Sequence, residues 1–319
     1  MAEMIPANNT SDRPNQDVFS ATLERLASKD RSIIAVTSDS RGSGKLVNFG
    51  KQFPLQIVEV GIAEQNLVGV AAGLASCGKK VFAVSPACFL TARSLEQIKN
   101  DVAYSDNPVT LVGISAGVSY GALGSTHHSL HDFAVLRAIH NMIVVAPADQ
   151  FETEKATELA ALSQQPVYLR FGKKAMPSLK SAPNEHFEFG KGRIIKEGTH
   201  AAIIANGETV SIAMQAAIAL QGKGIEVTVV SMHTVKPLDT ALLEQLANEC
   251  GAILTVEEHS VNGGLGEACA SWLLQSGYSK PFKILGIPDE YTVSGSQMEI
   301  LSHYGISANG IASSIEKMI

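Results

Sequence analysis

The 319-residue chain is 45% hydrophobic and 18% charged, a balance that supports about two cores of ordinary domain size. With 25 Lys and Arg against 31 Asp and Glu, its formal charge of −6 argues against a nucleic-acid-binding surface. Cys77, Cys88, Cys250 and Cys269 have no CxxC spacing, which speaks against a zinc site or disulfide framework and fits a reducing cytoplasm.

The opening stretch Met1–Thr10 is polar and lacks an apolar signal-peptide segment, and Asn8-Asn9-Thr10 is a glycosylation acceptor without meaning in the absence of secretion. No run approaches the roughly 18 apolar residues of a membrane span. Hydrophobic periodicity then predicts a helix over 15–28, strands over 32–37 and 56–60, a helix over 62–76 and a strand over 80–84. A helix over 93–104, strands over 109–114 and 142–145, a helix over 151–162 and a strand over 167–171 follow. Asp149 with Glu152 three residues on forms a capping box for the 151–162 helix, and Gly78 marks the end of the 62–76 helix. Alternation of this kind predicts an α/β fold with βαβ units and an open, mostly parallel sheet carrying helices on both faces.

The pattern breaks over 176–198, where Pro177, Pro183, Gly190 and Gly192 fall among Lys and Glu; this reads as a linker with a lead-in strand. Alternation resumes with strands over 201–205, 225–230, 253–256 and 282–285 and helices over 210–221, 240–248, 265–275 and 307–318. The expected organisation is one domain over 1–175 and a second over 199–319, each with a sheet of the same kind.

Three strand ends carry candidate chemistry. Glu64, in Val58-Glu59-Val60-Gly61-Ile62-Ala63-Glu64-Gln65-Asn66, puts a carboxylate at the carboxyl end of a strand, where open α/β sheets bind ligands; the bland alternative is an acid favoured by the helix dipole. Phe89, in Cys88-Phe89-Leu90-Thr91-Ala92-Arg93, offers a ring for a flat heterocycle, and Arg93 one turn on offers a cation for an anion. The loop from Gly117 runs through Gly124-Ser125-Thr126-His127-His128 to His131 and Asp132. Its histidines suit proton transfer; a metal site is the rival, since His127 and His131 would share a helix face. Gly73 to Lys80 mimics a phosphate-binding loop but closes a helix instead of opening one. In the second domain, Gly263-Gly264-Leu265-Gly266 at a strand-to-helix turn could cradle an anion, and Glu258-His259 invites a catalytic reading.

These motifs together resemble the pyrimidine-binding and C-terminal domains of thiamine-diphosphate enzymes in the transketolase branch, from about Arg13 onward. The resemblance implies that Glu64 bonds the cofactor's aminopyrimidine nitrogen, that Phe89 stacks on that ring, and that Asp39 and Arg93 lie beside it. It implies that His127, in a segment similar to the Gly-Pro-Thr-His of transketolases, lines the substrate channel, and that Arg13, Ser43 and Arg170 meet the terminal anion of a sugar phosphate. Leu123 and Ser115 replace an aspartate and a histidine of that channel, which puts the usual ketopentose-phosphate specificity in doubt. The family's Mg2+ and diphosphate motif, Gly-Asp-Gly, is absent. The resemblance therefore implies a subunit of a split transketolase that moves a two-carbon ketol unit from a ketose to an aldehyde, partnered in an α2β2 assembly by a diphosphate-binding subunit that holds most of the Mg2+ ligation. A 2-oxoacid dehydrogenase β subunit, an enzyme for an unusual sugar or acyloin, and a non-catalytic scaffold are the alternatives.

Overall fold

The computed structural model describes residues 12–179 and 185–319; Met1–Thr10 and Pro183 of the expected linker lie outside them. Two open sheets, each covered by helices on both faces, carry the molecule, and a two-stranded antiparallel ladder pairs Arg13–Pro14 with Ala175–Met176. The expected α/β class is what is found.

In the first unit the elements are α1 (Asn15–Ala27), β1 (Ile33–Thr37), α2 (Val47–Gln52), β2 (Ile57–Glu59), α3 (Glu64–Ser76), β3 (Lys80–Pro86), α4 (Ala87–Arg93), β4 (Thr110–Ile114), α5 (Asp132–Ala138), β5 (Ile143–Val145), α6 (Gln150–Ala160) and β6 (Val167–Arg170). Parallel pairing runs in the order β5-β6-β4-β3-β1-β2. Every residue of β1, β4 and β6 is buried, as sheets covered on both faces require. Leu67, Val68, Ala71, Ala72 and Ala75 make the buried stripe of α3, the 3.6-residue spacing that seats a helix on a sheet.

The second unit contains β7 (Arg193–Lys196), β8 (Ala201–Ala205), α7 (Thr209–Gln221), β9 (Val227–Ser231), β10 (Thr234–Lys236), α8 (Thr240–Glu249), β11 (Ala252–Ser260), α9 (Leu265–Gln275), β12 (Phe282–Ile287), α10 (Gln297–His303) and α11 (Ala308–Glu316). Its sheet is ordered β12-β11-β8-β9-β7, with β7 antiparallel at the edge.

Three sequence expectations are corrected. The helix over 93–104 is not one element. Arg93 ends α4, Ser94 leaves helical geometry (φ −113°, ψ 22°) with its hydroxyl donating back to the Leu90 carbonyl (2.6 Å), and Ile98–Tyr104 continues as a wider π-turn. The Asp149 cap is real, with its Oδ1 accepting from the Glu152 amide at 2.9 Å, but Glu152 reaches the Ala148 amide and Arg193 in place of the Asp149 amide. Finally, β10 does not stay in its own unit. It pairs antiparallel with β5 and makes the seventh strand of the first sheet.

Candidate active site

Glu64 is the first residue of α3 and only 4% exposed. The chain reaches it through Gly61 (φ +72°), which turns the backbone from β2 into α3 and aims the carboxylate at the carboxyl edge of the sheet. Both its oxygens accept from Arg93 Nη1, at 2.9 and 3.0 Å, a charge-assisted contact at the helix start. Arg93, the last residue of α4, simultaneously lies over the Phe89 ring, 4.1 Å from its centroid. Phe89 in turn meets the His127 ring edge-on at 5.4 Å, and His127 meets Tyr120 at 5.5 Å. Lys173 Nζ sits 4.3 Å over the Tyr120 ring. A contiguous line of groups thus runs Glu64, Arg93, Phe89, His127, Tyr120, Lys173.

Tyr120 and Lys173 were not singled out from the sequence. The only signal for Tyr120 was an aromatic inside a glycine-rich loop. Burial raises the pKa of the Tyr120 hydroxyl. His127 lies in a turn and His131 directly before α5, so they share no helix face. His131 Nε2 contacts Thr91 Oγ1 at 3.2 Å instead. Among the described residues, no group of three His, Cys, Asp or Glu could hold a metal ion.

Asp39 occupies a left-handed turn (φ +53°) after β1, exposed, with its amide donating to Glu59 Oε1 at 2.6 Å. Ser43 Oγ donates to the Ser40 carbonyl at 3.3 Å. Arg13 is exposed and its Nη2 reaches the Asp17 carbonyl at 3.4 Å.

Arg170 is elsewhere. It is 7% exposed, its Nε pairs with Asp132 Oδ2 at 2.7 Å, and its Nη2 donates to the carbonyls of Ser129 and Glu258. It also stacks on Phe133. A guanidinium buried on these partners is an interdomain tether, and the terminal-anion role expected of it is corrected accordingly. The pair holds the Asp132 carboxyl below its usual range. The Gly263-Gly264-Leu265-Gly266 cradle is likewise filled from within: Glu257 Oε2 and Oε1 accept from the Leu265 and Gly266 amides at 2.7 and 2.8 Å. Glu258 and His259 lie on buried β11.

Residues 13–178 match the family described as "Transketolase, pyrimidine binding domain", and 190–311 match "Transketolase, C-terminal domain". The chain belongs to the transketolase family. Among its transketolase relatives, an apulose-4-phosphate transketolase subunit of Phocaeicola vulgatus is 49% identical over 293 residues, covering 92% of this chain and 93% of that one. "1-deoxy-D-xylulose-5-phosphate synthase" of Magnetococcus marinus is 37% identical over 95% of this chain, but the match spans 49% of that protein. A solved "Split gene transketolase, inactive beta4 tetramer" superposes with a TM-score of 0.85 at 35% identity, covering 96% and 97% of the two chains. Transketolase from Campylobacter jejuni shares the fold at TM-score 0.82 and 19% identity, with 47% of its length covered. The transketolase assignment and its thiamine-diphosphate-dependent ketol-transfer class agree with the expectation from sequence.

Proposed function

We propose that this chain is the subunit that supplies the aminopyrimidine half of a two-part thiamine-diphosphate transketolase acting on a ketose phosphate. The observation that carries the reading is Glu64: a buried carboxylate at a helix start, paired with a cation that lies over the ring of Phe89. These residues fit an aminopyrimidine, which needs an acid at its ring nitrogen and a flat hydrophobic neighbour. Among the described residues no comparable group fits the diphosphate, since the hard divalent cation that accompanies it wants several oxygen ligands. A separate subunit carrying Gly-Asp-Gly would bring that half, giving an α2β2 assembly in the cytoplasm. The match to one subunit of a transketolase, along nearly the whole length of both chains, supports this division.

Thiamine diphosphate, when bound, supplies the carbon nucleophile that cleaves the ketose and carries its two-carbon unit. Glu64 holds the proton at the aminopyrimidine ring nitrogen. Phe89 backs the ring. Arg93 fixes the direction of the Glu64 carboxylate, and Asp39 stays a candidate neighbour of the ring. His127, buttressed by Tyr120, meets a sugar hydroxyl and moves its proton, work that imidazoles commonly do in catalysis. Arg13 and Ser43, both on the surface, remain available to the anionic end of the sugar. In this reading 1–175 is the pyrimidine domain, 176–198 the linker and 199–319 the C-terminal domain.

The test is reconstitution. The purified chain mixed with a partner bearing Gly-Asp-Gly transfers ketol units from a ketose phosphate to an aldehyde, and either chain alone does not. Robust turnover by the single chain would overturn the two-part reading. Oxidative decarboxylation of a 2-oxoacid onto a lipoyl acceptor would overturn the transketolase reading.

A further inference from the structure

Two buried carboxylates of the second unit, used by none of the chemistry above, meet at one amide. Gln297 Nε2, on α10, donates to Glu208 Oε2 at 2.8 Å and to Glu258 Oε1 and Oε2 at 3.0 and 3.1 Å. Each carboxylate then crosses to the first unit and accepts a backbone amide there. Glu258 Oε1 takes Val118 N at 2.7 Å, and Glu208 Oε1 takes Lys174 N at 3.0 Å. Both approaches require glycine in the first unit: a Cβ on Gly117 would fall 2.4 Å from Glu258 Oε1, and one on Gly172 2.1 Å from Glu208 Oε1. Two glycines on two strand-end loops, matched by two carboxylates and one strut, make a built contact.

The two amides it grips flank the site. Val118 lies two residues before Tyr120, and Lys174 follows Lys173, whose ammonium covers the Tyr120 ring. The same loop docks further along, where His128 Nδ1 and Thr292 Oγ1 lie 2.8 Å apart. We propose that Glu208, Gln297 and Glu258 form a shared-proton clasp through which the C-terminal unit positions the glycine-rich loop, and with it Tyr120 and His127, against Phe89 and Glu64. The functional consequence rests on the reading of the site given above; the clasp itself does not.

The proton follows from electrostatics. Two carboxylates out of water and within reach of a single nitrogen are not both ionised. The charged groups around them do not remove the need: Glu258 faces Arg170, which Asp132 already neutralises, and Glu208 faces Lys174. Burial, then the charge of Glu258, pushes Glu208 up to about 8, and burial raises Glu258 as well. Because the folded value of Glu208 lies above its unfolded one, its contribution to docking is full below the unfolded pKa and is lost as pH rises through about 8. Above that, two charges repel across Gln297 and the loop loosens.

Hydrogen exchange of the full-length chain, corrected for intrinsic rates, reads the clasp without cofactor or partner. Amide protection over 117–124 should fall by up to about tenfold for each pH unit as pH rises towards 8 and level off above it. Glu208→Gln, which fixes the protonated form, should keep its protection at pH 9, and Gln297→Leu should lose it at pH 7 as well. In the reconstituted enzyme, KM for the ketose phosphate should climb over the same pH range in the wild type and not in Glu208→Gln. Wild-type protection that is flat from pH 5 to 8, or a Glu208→Gln variant that tracks the wild type, overturns the clasp. Absence of ketol transfer at every pH refutes the functional reading instead, and the exchange data decide the clasp independently.

Discussion

Glu64 shows how much a strand-end motif reveals and where it stops. A carboxylate after a β-branched run and a glycine turn was legible, as were Phe89, Arg93 and His127, because each sits at or beyond a strand's carboxyl end and the fold gathers such ends. The structure adds what spacing cannot: one nitrogen of Arg93 serves both Glu64 oxygens. In the reconstituted complex, Glu64→Gln should cut kcat at least a hundredfold while size-exclusion chromatography shows unchanged assembly; near-wild-type turnover would remove Glu64 from the chemistry. Arg93→Leu forfeits a charge-assisted hydrogen bond worth about 1.5–3 kcal/mol and should lower kcat roughly ten- to a hundredfold, a smaller loss than Glu64→Gln. Arg170 was misread because a strand-end arginine looks the same whether solvent or a buried Asp132 faces it. The partner that decides its role is 38 residues away in sequence.

Among elements, long periodic segments were legible nearly to their ends. The predicted 265–275 helix and 201–205 strand are found unchanged as α9 and β8. Short pieces were not: α2, α5, α10 and β10 span too few residues for a period to declare itself. The glycine turn before α9 was legible as an anion cradle, yet its occupant is the chain's own Glu257, whose carboxyl burial pushes up to about 7. Gly264 must therefore stay small. Gly264→Ala would bring a Cβ to 2.0 Å from Glu257 Oε2 and should destabilise the chain by about 1–3 kcal/mol in urea unfolding monitored by circular dichroism. Unchanged stability would mean that the carboxylate is free to leave the helix start.

At the scale of the molecule, the seam between the two units is polar and buried, which composition could not announce. Besides Arg170, it holds Arg193 of β7, 5% exposed, bonded to Glu152 of α6 and to Glu185 at 2.6 Å each and stacked on Phe151. Asp149 and Glu152 rely on that cation, so Arg193→Met leaves buried carboxylates uncompensated. It should cost about 3–5 kcal/mol by chemical denaturation, and the double variant Arg193→Met, Glu152→Met should recover part of the loss. No recovery would assign the effect to packing on Phe151 instead.

The strand that crosses over has its own consequence. Because β10 of the second unit completes the sheet of the first, the chain is laced shut by backbone hydrogen bonds as well as by its covalent thread. A protease nick in the connection over 176–198 should leave two fragments that elute as one particle and part only in denaturant. By the same token, dividing the gene between the two units would orphan a strand from its sheet.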